Sequence, residues 1–398
     1  MNQKIAITAS TITTTLGAGL SANREALKQS RTGLQQNAFS GIEFDTYVGM
    51  VNGVDDVILS GELADFDCRN NRLAELGLQQ DGMLEAVEEL KSRYGAERIG
   101  LFIGTSTSGI QQTEMAYASR DPDSGELPDW FNYSTTHDVF SSVDYLSNRL
   151  GLRGPAQIIS TACSSSSRVF AAAARHMGAG LCDAAIVGGI DSLCQMTLYG
   201  FNSLQLVSGQ PCRPADAKRD GINIGEAAGY VVLEKEIKSA EHYLLGYGES
   251  SDAWHMSSPH PEGAGAVQAM LQALDRAGLS PSQIDYVNLH GTATPANDLA
   301  EDRAMMTVFE GKNPCSSTKG FTGHTLGAAG IVGAVFSCIA IEENLLPVSL
   351  NTRYVDERIQ SNIVLDSSSV NKSSIDIVMS NSLGFGGSNA SLIIGRDL

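Results

Sequence analysis

One cysteine and two histidines, far apart along a chain of 398 residues, carry the clearest chemical signals. Cys163 lies in Q-I-I-S-T-A-C-S-S-S-S-R-V-F-A-A-A-A-R-H-M, residues 157–177. An apolar run ends there at a small-residue turn, and an Ala-rich helical run starts at the cysteine. A thiol at a helix N-terminus meets unpaired backbone N–H groups and the positive end of the helix dipole, and both favour the nucleophilic thiolate. The same residue also fits a buried, inert thiol packed as a small hydrophobe. His290 follows a strand-like run in N-L-H-G-T-A-T-P-A-N-D, residues 288–298. His324 opens a helical run in S-T-K-G-F-T-G-H-T-L-G-A-A-G, residues 317–330. Imidazoles so placed either serve a reaction or simply hold a turn by hydrogen bonds. A Gly-rich turn, S-N-S-L-G-F-G-G-S-N-A at 380–390, lacks the G-x-G-x-x-G spacing of a dinucleotide site.

Such residues need a frame, and the pattern around them supplies one. Strand-like runs at 4–9, 99–103, 182–188, 229–234, 284–289, 374–379 and 390–394 alternate with helical runs at 21–29, 71–94, 264–277 and 327–343. The alternation predicts an α/β fold with sheets buried on both faces. Ligands of such folds bind beyond the carboxyl ends of the strands, where Cys163 and all three turns are expected. The length exceeds a single ordinary core, so two units are expected. The weakest core character lies in K-E-I-K-S-A-E, 235–241, which divides the chain into 1–235 and 236–398. The letters show no strong internal repeat.

A net charge of −18 without a basic block argues against a nucleic-acid binder. Seven dispersed cysteines without C-x-x-C suggest reduced thiols and no zinc site. No apolar run reaches membrane-spanning length, and a cytoplasmic protein is expected. His137, His176, His242, His255 and His260 have no setting comparable to the other two, and D-A-W-H-M-S-S-P-H-P reads as a solvated loop.

Taken together, T-A-C-S-S, H-G-T-A-T-P and K-G-F-T-G-H-T-L-G-A-A-G, in that order, resemble a β-ketoacyl-acyl-carrier-protein synthase of type I/II. L-G-F-G-G-S-N and R-D-G-I-N-I-G-E-A-A-G-Y-V-V-L-E (219–234) are similar to the same family, and the likeness spans essentially the whole chain. The resemblance implies a thiolase-like five-layer αβαβα sandwich of two similar halves, the nucleophile in the first and both histidines in the second. It implies a decarboxylative Claisen condensation through an acyl-Cys163 intermediate. It also implies a dimer, an acyl carrier protein as partner, and no tightly bound cofactor or metal. Phosphopantetheine would arrive on the carrier.

Residue by residue, the likeness makes Cys163 the acyl acceptor, with His290 and His324 as hydrogen-bond donors to the malonyl thioester oxygen. Backbone N–H groups of Cys163 and Phe385 would hold the oxyanion, and Phe385 would gate the acyl pocket. Lys319 and Glu301 would orient the histidines as an ion-pair network. Thr292, Thr294 and Gly386 would line the pantetheine path. Thr107 would shape the acyl tunnel within G-T-S-T-S-G-I (104–110). Arg69, Arg72, Arg213 and Lys218 are candidates for docking the carrier.

The chain departs from the family pattern at Leu383, at R-P-A (213–215) and at G-E-A-A-G (225–229). Unpaired hydroxyls buried in the 104–110 loop would suit a plain saturated chain poorly. A short, unsaturated or aromatic acyl group is expected instead. An alternative is one subunit of a ketosynthase/chain-length-factor heterodimer in aryl polyene or polyketide synthesis. A thiolase would need a second cysteine where Phe385 stands.

Overall fold

A computed structural model describes residues 4–235, 237, 240–367 and 374–397. Part of the expected 235–241 boundary (236, 238 and 239) lies outside the described residues. Eleven strands form one hydrogen-bonded succession. In chain order they are β1 (Ile5–Thr14), β2 (Ile99–Gly104), β3 (Ala156–Ile159), β4 (Ala184–Asp191), β5 (Ala227–Lys235) and β6 (His242–Ser251), then β7 (Tyr286–Asn288), β8 (Pro314–Ser316), β9 (Asn362–Ile363), β10 (Ile377–Gly384) and β11 (Ser388–Gly395). Their spatial order is β9-β8-β7-β10-β11-β6-β1-β5-β4-β2-β3.

That order contains a repeat the letters do not show. From β1 outward through β5, β4, β2 and β3, the successive pairings are antiparallel, antiparallel, parallel and parallel. From β6 outward through β11, β10, β7 and β8, the same sequence of senses recurs. The two runs touch along a short seam, Ile5–Ile7 of β1 against His242–Leu244 of β6.

Strand residues alternate between two packed faces, which explains the near-continuous apolar runs. Ala185, Val187, Val231 and Leu233 point into one core together with Val378, Leu392 and Ile394 of the second run. Between the runs lie two buried helices, α1 (Ser165–Gly178) and α3 (Ala329–Glu342). Ala184, Ile186, Tyr230 and Val232 face the other way, onto helices carrying Leu73, Met83, Val87 and Leu146. Val287, Met379 and Ile393 likewise meet Met270 and Leu274 of helix Ala264–Ala277 and Met305 of α2 (Pro295–Phe309). The result is helix, sheet, helix, sheet, helix: the five-layer αβαβα sandwich.

Several local expectations shift. β1 runs on to Thr14 because its threonines are satisfied internally, Thr11 by Asp81 and Thr14 by Asn23. The expected helix at 71–94 is two helices, Arg69–Leu78 and Met83–Tyr94, broken where Asp81 and Gly82 adopt φ of 54° and 71°. The first helix begins at Gly19, two residues before the expected run, with Ala18 at its cap. Among the described residues, no helix is long and apolar enough to cross a membrane.

Candidate active site

β3 ends at Ile159, and a tight turn delivers Cys163 ahead of α1. Ala162 holds this turn in the left-handed region, at φ 50°. The first turn of α1 is wedged between two glycines. A Cβ on Gly104 would fall 2.4 Å from the Ser166 nitrogen, and one on Gly330 would fall 2.3 Å from that of Ser167. Close approach of three backbones thus fixes where the sulfur sits.

His324 Nε2 lies 2.9 Å from Cys163 Sγ. The Leu326 N–H donates to His324 Nδ1 at 3.3 Å, which assigns the ring proton to Nε2, facing the sulfur. The His290 ring stands 5.2 Å from that of His324, nearly perpendicular at 82°. Lys319 Nζ lies 3.4 Å from His290 Nδ1 and also donates to the His290 carbonyl. The ammonium offers only protons, so His290 too carries its proton on Nε2. Burial, reinforced by the Lys319 charge, pushes both imidazoles well below their ordinary pKa and keeps them neutral. The site therefore holds two neutral N–H donors beside one sulfur.

Glu301 works differently from the expected ion-pair network. Its carboxylate accepts the backbone N–H groups of His290 at 2.8 Å and Gly291 at 2.7 Å. It fixes the turn that carries the histidine and leaves ring orientation to Lys319. Burial raises its pKa to about 7, against the pull of those two amides.

Burial works against the expected thiolate. Cys163 precedes Ser164, the capping residue of α1, and is 5% exposed. Burial pushes its thiol up to about 11; Lys319 and the backbone N–H groups of Phe385 and Cys163 pull only partly against this. A helix start does not outweigh desolvation here. Iodoacetamide labelling of Cys163, followed by intact mass, is expected to keep accelerating through pH 9. A plateau by pH 8 would contradict this reading.

The sulfur and both rings open onto a cavity of about 250 Å³. Thr292, Thr294, Phe385 and Gly386 line it, as expected. So do Phe201, Leu206 and Asp252, which no motif in the sequence singles out. The Thr292 and Thr294 hydroxyls lie 2.9 Å apart. The Phe385 and Phe201 rings meet at 5.4 Å. Ser257, Ser258 and Pro259 also line the cavity, so the 252–261 loop is part of the site and not merely solvated.

Thr107 does not line this cavity. Its hydroxyl donates to Asp191 Oδ1 at 2.9 Å, beside that of Thr105 at 2.7 Å and the Thr107 amide at 2.9 Å. Asp191 also accepts from the Ser106 hydroxyl and from the Gly327 N–H, three residues beyond His324. Ser108 bonds the Thr136 and Asp138 carbonyls at 3.2 and 3.0 Å. These hydroxyls are paired, so the loop gives no reason to disfavour a saturated acyl chain. An acid closing the apolar run A-A-I-V-G-G-I-D was the available signal for Asp191.

The carrier-docking candidates separate. Arg69 is buried, with a two-point contact to Glu226 (2.6 and 3.0 Å) and a third bond to Asp55 at 2.8 Å. Arg72 is bound to Asp67 through two bonds of 2.6 Å. Arg69 is thus engaged inside the protein, whereas Arg72 is half-buried with its pair at the surface. Arg213 lies 3.3 Å from Asp220, and Lys218 is exposed. Those two border a separate cleft of about 330 Å³ with Arg353 and Tyr354.

Comparison with known proteins follows the same geometry. The model of the "Beta-ketoacyl synthase, N-terminal domain" matches residues 2–239, and that of the "Beta-ketoacyl synthase, C-terminal domain" matches 243–353. The chain is 40% identical over 339 residues to the mitochondrial 3-oxoacyl-[acyl-carrier-protein] synthase of Arabidopsis thaliana, covering 80% of this chain and 72% of that one. It is 36% identical over 314 residues to 3-oxoacyl-[acyl-carrier-protein] synthase 2 of Rhizobium meliloti (strain 1021), covering 75% and 74%. Among solved structures, it matches the ketosynthase ApeO, in complex with its chain length factor ApeC, from Xenorhabdus doucetiae. There the TM-score is 0.89 and the identity 37%, over 99% of this chain and 98% of that chain.

Proposed function

Since this chain belongs to the β-ketoacyl synthase family, we propose that Cys163, His290 and His324 carry out its decarboxylative condensation of an acyl thioester with a malonyl thioester. The observation that carries the assignment is the sulfur 2.9 Å from a neutral imidazole, with a second imidazole facing the same cavity. The Cys163 sulfur attacks the acyl carbonyl, its proton passes to the departing carrier thiol, and the acyl group becomes a Cys163 thioester. The N–H groups of Cys163 and Phe385 receive the oxyanion of that step. The malonyl thioester then loses carbon dioxide. The resulting enolate oxygen takes hydrogen bonds from His290 Nε2 and His324 Nε2, its carbon attacks the acyl-Cys163 carbonyl, and the Cys163 thiolate leaves. Preorganised donors of this kind typically supply about 3 kcal/mol each at the transition state.

The phosphopantetheine arm of an acyl carrier protein is placed along Thr292, Thr294 and Gly386, with the carrier outside, in the cytoplasm. Arg213 and Lys218 remain the docking candidates. The halves 1–235 and 236–398 are taken as the units that contribute the nucleophile and the histidines. A tightly bound cofactor has no role in this chemistry.

Likeness to a ketosynthase solved with its chain length factor supports a second reading, in which this chain is the active member of such a pair. The acyl substrate of a polyene or polyketide pathway then belongs to the proposal. Size exclusion of the chain with and without a candidate partner separates the homodimer from the mixed dimer.

The deciding experiment is intact mass after incubation with a panel of acyl-carrier thioesters. One acyl group is expected on the wild-type chain and none on Cys163→Ala. Equal loading of both would end the assignment.

A further inference from the structure

At the end of β6 remote from the site, three side chains from two stretches of chain converge without a role in the condensation. His242 opens β6, Glu241 precedes it, and Glu342 closes α3. Their ligand atoms all lie within 4.8 Å of one another, and His242 Nε2 stands 3.8 Å from Glu342 Oε1. The His242 side chain is only 6% exposed, yet its Nε2 has no hydrogen-bond partner. A buried polar atom left unpaired is costly, so one aimed at a carboxylate oxygen calls for a ligand.

We propose that His242, Glu342 and Glu241 form a binding site for a divalent transition cation of the zinc type, on the seam between the two strand runs. One imidazole and two carboxylates suit such an ion, with water completing the shell. Ligands about 2.1 Å from a tetrahedral zinc stand roughly 3.4 Å apart, so the 3.8 Å His242–Glu342 pair closes by a few tenths of an ångström, while Glu241, within 4.8 Å of both, swings in on binding. Burial lowers the His242 pKa and keeps the ring in the neutral form that ligates.

The surroundings favour the same occupant. Arg24 holds Oε2 of Glu342, leaving Oε1 turned toward His242, the kind of outer contact that orients a metal ligand. The nearby cations are already matched: Arg24 also by Glu343, Lys28 by Glu343, and Arg396 by Asp376. His242 pairs with Ile7 across the seam, so the ion would tie the start of β6 to the end of α3 beside the place where three residue pairs join the two strand runs. β6 then runs ten residues toward Asp252 of the catalytic cavity, a span of roughly 30 Å. The role is structural, and the expectation from cysteine spacing that the chain holds no zinc addressed a different kind of site.

Cys163, His290 and His324 also cluster closely enough to take a metal, so the test uses the untagged Cys163→Ala protein. Zinc chloride is titrated by calorimetry in a non-chelating buffer, with thermal unfolding followed in parallel. One equivalent is expected to bind and raise Tm. His242→Gln is expected to abolish that equivalent. Glu241→Gln, an exposed position that leaves folding intact, is expected to weaken it about tenfold or more. Absence of binding to Cys163→Ala, or binding by both further variants equal to their parent, overturns the proposal.

Discussion

His290→Ala and His324→Ala each slow condensation by roughly 10²–10³ while Cys163 still accepts an acyl group. The separation follows from where the proton-bearing nitrogens point. Loading needs the sulfur and the Cys163 and Phe385 amides, and none of these is removed. Decarboxylation puts negative charge on an oxygen that, in the proposed mechanism, the two Nε2–H groups receive. His324 also touches the sulfur at 2.9 Å, so its loss slows loading somewhat more than loss of His290. Single-turnover mass spectrometry of acyl-enzyme, chased with a malonyl carrier, reads both steps. Wild-type condensation by either variant would strip that histidine of its part in holding the enolate.

Arg69→Ala is expected to destabilise the fold by about 3–5 kcal/mol, because it strands Glu226 as a buried, uncompensated charge. Glu226 is fully buried. Besides Arg69 it accepts the Val51 and Leu193 amides at 2.9 Å, so it ties three separate segments to the start of β5. The urea midpoint should fall sharply, while the KM for carrier substrate in the surviving folded enzyme stays near its parent value. A raised KM with unchanged stability would return Arg69 to the docking surface. The same position read from sequence is simply an arginine near the start of a helix; its partner lies 157 residues away.

That case shows what the letters carry and what they do not. Cys163, His290 and His324 were legible because each stands in a distinctive local string, and strands such as β2, β4 and β5 were legible because both faces are buried, whereas β6, β8 and β9 were not read from the pattern. The long-range partners were not. Asp191 gathers a loop 84 residues upstream; an acid closing an apolar run marks it as unusual, but nothing near it in sequence names the loop it holds. The burial that opposes a thiolate was not legible for a related reason: a helix start is local and visible, whereas desolvation is set by every layer packed around the sulfur. The repeated order of strand senses escaped because topology can be duplicated after the side chains have diverged.

The strand order has a consequence for how the chain is made. β10 and β11 come from residues 377–395, yet they occupy the middle of their sheet, between β7 and β6. A ribosome therefore delivers the centre of that sheet last. Until it does, α3 can pack on α1 and the first strand run but its other face has no seat, and β7 lacks one of its two neighbours, so the second half stays unfinished and aggregation-prone on the nascent chain.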